Sequence, residues 1–114
     1  MDKFQYSAAS HSGIGVSADT ITGFNAGTST TAVDQIQLVG LVQGGHMDFL
    51  GSGAFTAAGH TQVRAVAGNV YGSGLTTSDA VLLIDLNGDG TTDMEIKLLG
   101  TKAGNLDAGD LFTG

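Results

Sequence analysis

Residues 85–93 carry the side chains best suited to chemistry, because acidic and amide oxygens recur there at alternate positions. The stretch runs Asp-x-Asn-x-Asp-Gly-x-x-Asp, with its side-chain oxygens on Asp85, Asn87, Asp89 and Asp93. In calcium loops, side-chain oxygens at positions 1, 3 and 5 converge on one ion, a carbonyl at position 7 joins them, and glycine at position 6 permits the sharp turn. The spacing therefore predicts a Ca²⁺ site made by these four side chains and the carbonyl of Thr91.

The segments on either side of this loop favour a β-hairpin over a pair of helices. Residues 80–84 (AVLLI) and 94–98 (MEIKL) have strand character, and Gly100 would end an outgoing helix after two turns. Position 12, where a helix-flanked loop has a bidentate Glu, is Ile96. The alternative is a metal-free Asn/Asp/Gly turn. A shorter turn would suffice to join two strands, and it would avoid the repulsion among three carboxylates.

Short strand-like runs separated by glycine clusters predict an all-β fold, either a β-sandwich or a β-roll cap, in one domain over residues 1–114. The predicted strands lie at 3–7, 19–24, 34–41, 61–67, 69–71, 79–85 and 93–99. One or two short helical turns are expected, at 51–59 and 106–112. No apolar run reaches the length of about 18 residues that a membrane span needs.

Composition argues against several classes of function. Ten Asp and one Glu against four Lys and Arg give a formal charge of -7, so no basic patch is available to bind nucleic acid. The chain has no cysteine to act as a nucleophile or to form a disulfide, and no G-x-S-x-G elbow. Its three histidines, His11, His46 and His60, lack metal-ligand spacing. A dinucleotide-like GIGVSA at 13–18 is followed by β-branched residues instead of the required helix. A non-enzymatic protein is therefore predicted.

A series of motifs runs along nearly the whole chain in a characteristic order. The motifs are DKFQYSAASHS, ADTITGFNAGTSTTAVDQIQLVGL, FLGSGAFTAAGHTQVR, LLIDLNGDGTTDMEIKLLG and NLDAGDLF. In this order they resemble the segment that follows the last glycine-rich repeat of RTX proteins, with the nearest match in the C-terminal domain of serralysin-type metalloproteases. The resemblance implies a secreted bacterial protein, of which this chain is a fragment. It also implies a calcium-dependent parallel β-roll upstream and export by a type I ABC exporter that recognises an uncleaved C-terminal signal.

The same resemblance adds three candidate calcium ligands. Asp2 matches the last Asp of a truncated glycine-rich repeat, and Asp19 and Asp34 match the first and third conserved acids of the stretch that follows. Gly23 and Gln37 stand where the family usually has Asp, which removes two carboxylates from any site there. The expected function is a calcium-binding domain that caps an upstream β-roll and carries secretion information. The alternative is a structural module of a bacterial surface layer or adhesin that self-associates in calcium.

Overall fold

The computed structural model describes residues 3–6, 19–22, 24, 35–38, 40–41, 47–57, 59–72, 74–106 and 111–112. Strands far outnumber helices among the described residues, which makes the fold all-β as predicted. The strands are β1 (Lys3–Tyr6), β2 (Asp19–Thr22), β3 (Gln35–Leu38), β4 (Met47–Phe49), β5 (Thr61–Ala67), β6 (Ala80–Asp85), β7 (Met94–Leu99) and β8 (Leu111–Phe112). The helical pieces are α1 (Gly68–Tyr71) and a 3₁₀ helix (Ala103–Asn105). None of the described helices is long and apolar enough to cross a membrane.

The described strands form two sheets. The larger sheet has the order β2-β7-β6-β5-β4, in which β5, β6 and β7 are antiparallel neighbours and β2 and β4 add to the two edges in parallel. The smaller sheet has the order β1-β3-β8 and is parallel throughout. The continuous apolar run of β6 fits its central place in the larger sheet, because side chains on both faces of this strand are buried or half-buried.

One face of the larger sheet carries the core, and the register shows why. Directly opposed residues of neighbouring strands point to the same face, so the rows Val63–Ile84–Met94 and Ala65–Leu82–Ile96 present buried apolar side chains together. Ile36 and Leu38 of β3 join the same hydrophobic cluster, so both sheets contribute to one core. Burying each large side chain stabilises the fold by roughly 1.5–3 kcal/mol.

The segment at 69–71 differs from its prediction as a strand, because it belongs to α1. Antiparallel pairing places Ala67 opposite Ala80, so the chain must reverse direction directly after β5. The Gly68 amide then donates to the Asp79 carbonyl at 2.8 Å, which closes this reversal. The need to return to β6 therefore overrides the strand propensity of Val70 and Tyr71.

Neither predicted helical turn is seen among the described residues of its segment. The described residues of 51–59 form turns, bends and irregular chain. The Thr56 amide donates at 3.0 Å to the side chain of Gln62 in β5 instead of to a helical carbonyl. In the second segment, Leu111 and Phe112 form β8, while residues 107–110 lie outside the described chain. The 3₁₀ helix ends just before this segment. Strand β4 was not predicted, because its three residues are too few for alternation to be recognised.

Candidate metal centre

The predicted ligand residues lie in the loop between β6 and β7. Strand β6 ends at Asp85 and β7 begins at Met94, and the two strands are antiparallel. The Asp93 amide donates to the Ile84 carbonyl at 2.8 Å, which closes the base of the loop. The loop is thus the tip of a β-hairpin, as the two flanking apolar runs predict.

Three carboxylates converge inside this loop. One oxygen each from Asp85, Asp89 and Asp93 can be chosen so that all three lie within 4.8 Å of one another. Asp85 is fully buried, Asp93 is half-buried and Asp89 is exposed, so the cluster opens to solvent on the Asp89 side. Carboxylate oxygens at this spacing could hold a metal ion. Within the described part of the chain, no other group of three acidic, histidine or cysteine residues lies this close.

Main-chain amides of the loop orient two of these carboxylates. The Asp85 oxygens accept hydrogen bonds from the Gly88 amide at 3.0 Å and the Gly90 amide at 2.8 Å. One oxygen of Asp93 accepts from the Leu86 amide at 2.8 Å. Bonds of this charge-assisted kind hold a carboxylate more firmly than bonds between neutral groups. A carboxylate has about four lone-pair positions, so these bonds leave each group free to bind a cation as well.

The two remaining predicted ligands sit in the same turn. Asn87 Oδ1 accepts a hydrogen bond from the Asp89 amide at 3.3 Å, and Asp89 Oδ1 accepts one from the Thr91 amide at 2.9 Å. Both Asn87 and Thr91 are exposed. These local bonds keep both residues beside the acidic cluster, and their role as ligands stays a prediction.

The loop is docked against the start of β5, a contact that the sequence did not reveal. The Gly59 amide donates to the Gly88 carbonyl at 3.1 Å, and the buried Thr61 hydroxyl donates to the Leu86 carbonyl at 2.7 Å. Gly88 has a φ of +74°, and a Cβ added there would overlap the main chain at Gly59 and His60. Glycine is therefore required at this position both by the backbone conformation and by the close approach.

The described part of the chain supplies no counterion for the negative charge of the cluster. Among the described residues, no Lys or Arg forms an ion pair with Asp85, Asp89 or Asp93. Two like charges about 4 Å apart repel by roughly 1 kcal/mol even in bulk water. A divalent cation would convert this repulsion into attraction.

The other candidates do not join the cluster. Asp19 is exposed at the first position of β2 and lies outside the acidic group. Asp2, Asp34, His11, His46 and the segment 13–18 lie outside the described residues. His60 is half-buried in the bend before β5, and its Nε2 lies 2.6 Å from a carboxylate oxygen of Asp48.

Comparison with known proteins adds no relative. No family model matches the chain, and neither does any curated protein. The resemblance to RTX C-terminal domains therefore stays a prediction based on the order of the motifs. The loop geometry and the chemistry of its oxygens are the features that bear on function.

Proposed function

We propose that the chain is a non-enzymatic calcium-binding domain that holds its ion in the loop between β6 and β7. The observation that supports this best is the convergence of three carboxylate oxygens within 4.8 Å of one another. Ca²⁺ takes about six to eight oxygen ligands in flexible geometry, which suits a loop of short Asp and Asn side chains. Mg²⁺ demands stricter octahedral geometry. Softer metals prefer thiolate or imidazole ligands, and this loop contains no Cys or His.

The proposed ion would stabilise the hairpin by bridging the carboxylates at its tip. At a free calcium concentration about ten times the dissociation constant, binding adds roughly 1.4 kcal/mol to the free energy of unfolding. Typical domains are stable by about 5–15 kcal/mol, so one such site raises stability without deciding whether the chain folds. We expect folding in chelator and a melting temperature roughly 5 °C higher in calcium.

Calcium titration of paired variants tests the site. Asp89→Asn removes one charge from the cluster, whereas the control Asp79→Asn removes the same charge from a turn outside it. Extracellular calcium modules bind at roughly 0.1–1 mM, and we expect isothermal titration to give this range for the parent and for Asp79→Asn. Asp89→Asn should bind at least several times more weakly, and equimolar Mg²⁺ should compete poorly. The proposed site is wrong if Asp89→Asn binds as tightly as the parent.

We also propose that the domain caps an upstream parallel β-roll in a secreted bacterial protein exported by a type I ABC exporter. The support comes from the smaller sheet, where β1, β3 and β8 are parallel and β1 occupies one edge of the described strand order. A preceding parallel strand could extend this sheet at β1. In this proposal the two sheets, which share one core, form the β-roll cap.

Two observations test the capping role. Tandem G-G-x-G-x-D repeats encoded directly upstream of Asp2 would support it, and an unrelated domain there would contradict it. Sedimentation velocity in chelator and in calcium should give a monomer in both conditions. Self-association that appears only in calcium would instead favour the surface-layer or adhesin module.

A further inference from the structure

A cavity of about 450 Å³ lies beside β5, where the neighbouring strand leaves the sheet. Strand β4 pairs with only the first three residues of β5, and the Gly51 carbonyl then accepts a hydrogen bond from the Ala65 amide at 2.7 Å. The cavity is lined by the turn after β4 that contains Gly51 and by residues 64–67 of β5. Val70 of α1 and residues in and next to the 3₁₀ helix complete the lining. Small-molecule sites have volumes of roughly 300–1,000 Å³, so this cavity is large enough for one.

Arg64 is the one charged side chain among the described residues that line this cavity. Its Nε is buried and has no hydrogen-bond partner. The ring of Phe55 lies 5.5 Å from the guanidinium carbon and covers one side of the group. This isolation is unusual in a chain with eleven acidic residues and only four Lys and Arg. A buried donor without an acceptor destabilises the folded state, so an anion that accepts hydrogen bonds from this guanidinium would stabilise it.

Glu95 lies on the same sheet face as Arg64 but is already engaged. The register places Arg64 opposite Leu83 and Leu83 opposite Glu95, so all three point to one face. The Glu95 carboxylate accepts a hydrogen bond from the Tyr71 hydroxyl at 2.6 Å. Within the described residues, Arg64 therefore has no carboxylate partner of its own.

The shape and charge of the cavity define the chemistry of a ligand. A guanidinium presents a planar fork of donors that matches a carboxylate. The rest of the lining is mainly apolar, with Val66, Val70 and Leu106 as its larger side chains. The net charge of -7 disfavours ligands with several negative charges. We infer that this cavity binds a small monocarboxylate with a short apolar body, its carboxylate against Arg64 and its apolar part against the aliphatic wall.

Protein-observed NMR with two matched probes tests the inference. Hexanoate carries a carboxylate on a short alkyl chain, and hexanamide is its neutral counterpart of nearly the same shape. We expect hexanoate to shift the amide signals of residues 64–67 and 103–106 with a dissociation constant on the order of 1 mM, typical of a ligand with so few atoms. Hexanamide should bind about tenfold more weakly, because it cannot form the charge-assisted pair.

Three variants locate the interaction. Arg64→Met keeps a long apolar side chain and should weaken hexanoate binding about tenfold or more. Arg64→Lys retains the charge without the buried Nε, so it should fold even if Arg64→Met does not, and it should still bind several times more weakly. The control Lys102→Met removes the same charge from an exposed residue next to the cavity. Exposed charges contribute little, so its binding should stay within about twofold of the parent.

Three outcomes would overturn the inference. The first is equal affinity for hexanoate and hexanamide at the same amides, since the carboxylate would then not be recognised. The second is an unchanged spectrum at about 20 mM hexanoate, well above the expected dissociation constant. The third is binding of an extended acidic peptide along residues 64–67 without binding of hexanoate, which would show that the open part of β5 accepts a strand.

Discussion

Replacing Gly88 with alanine tests whether the metal loop is fixed against the start of β5. A Cβ at Gly88 would lie 2.5 Å from the Gly59 carbonyl carbon and would also overlap the His60 amide nitrogen. Contacts between carbon atoms are optimal at about 3.5–4.0 Å, so the loop or the strand must move by about 1 Å. Overpacking of this kind costs about 1–3 kcal/mol. The left-handed φ of +74° adds about 1–2 kcal/mol for a residue with a Cβ.

The control Gly74→Ala isolates the clash from the backbone strain. Gly74 has a φ of +78°, and a Cβ there would have no atom within 4 Å. We therefore expect a loss of about 1–2 kcal/mol for Gly74→Ala and about 2–5 kcal/mol for Gly88→Ala. At roughly 4 °C per kcal/mol, melting temperatures should fall by about 4–8 °C and about 8–20 °C respectively. Circular dichroism melts in chelator measure both values.

Calcium binding provides the second measurement on the same variants. The Gly88 amide donates to Asp85 Oδ1, so a displaced loop also displaces the buried carboxylate of the cluster. At a temperature where both variants are folded, Gly88→Ala should bind calcium more weakly than Gly74→Ala. Equal melting temperatures and equal calcium affinities for the two variants would show that the loop is not docked on residues 59–60.

Three further changes probe hydrogen bonds around the larger sheet. Hydrogen bonds from Gly100 and then Thr76 lower the pKa of the Asp79 carboxyl below its usual value of 3.8. This group therefore stabilises the fold above that pH, and the stabilisation is lost as the pH falls through the lowered pKa. Urea melts should therefore show Asp79→Asn less stable than the parent at pH 7, with a gap that narrows below pH 3.8; a constant gap would contradict this. Thr61→Val leaves the buried Leu86 carbonyl without its hydroxyl donor and should cost about 1–3 kcal/mol, and a neutral result would refute the bond. Tyr71→Phe removes the donor to a buried carboxylate and should cost a similar amount in the same assay, whereas an unchanged midpoint would argue against that contact.

The hairpin and its loop could be predicted because their signals are local. A continuous apolar run predicts β6, alternation predicts β7, and the spacing of Asp and Asn places the acidic turn between them. Each of these signals lies within about twenty residues of sequence. The structure then adds the convergence of Asp85, Asp89 and Asp93, which follows from the loop closing at the Asp93 amide.

The features that were missed depend on contacts between distant segments. Gly88 and His60 are far apart in sequence, and only the pairing of β5 with β6 brings them together. The cavity beside Arg64 arises because β4 is short, and a three-residue strand has too few positions for a pattern. The helix α1 forms because β5 must reverse into β6 after Ala67, although valine and tyrosine there favour a strand. In each case tertiary geometry overrides or supplements the local propensity.

The calcium dependence of one charge effect separates a metal site from a polar turn. Asp89 is exposed, and Asp89→Asn keeps the Oδ1 acceptor for the Thr91 amide while it removes one negative charge from the cluster. Without calcium the variant should be more stable than the parent by about 0.5–1 kcal/mol, since the remaining carboxylates repel each other less. In calcium this advantage should shrink or reverse, because the parent gains roughly 1.4 kcal/mol or more and the variant gains less from its weaker site. Paired thermal melts of the two proteins in chelator and in 10 mM calcium, about ten times the weakest expected dissociation constant, measure both differences. A metal-free turn would leave the stability difference between the two proteins the same in both conditions, so an unchanged difference would remove calcium from the account of this loop.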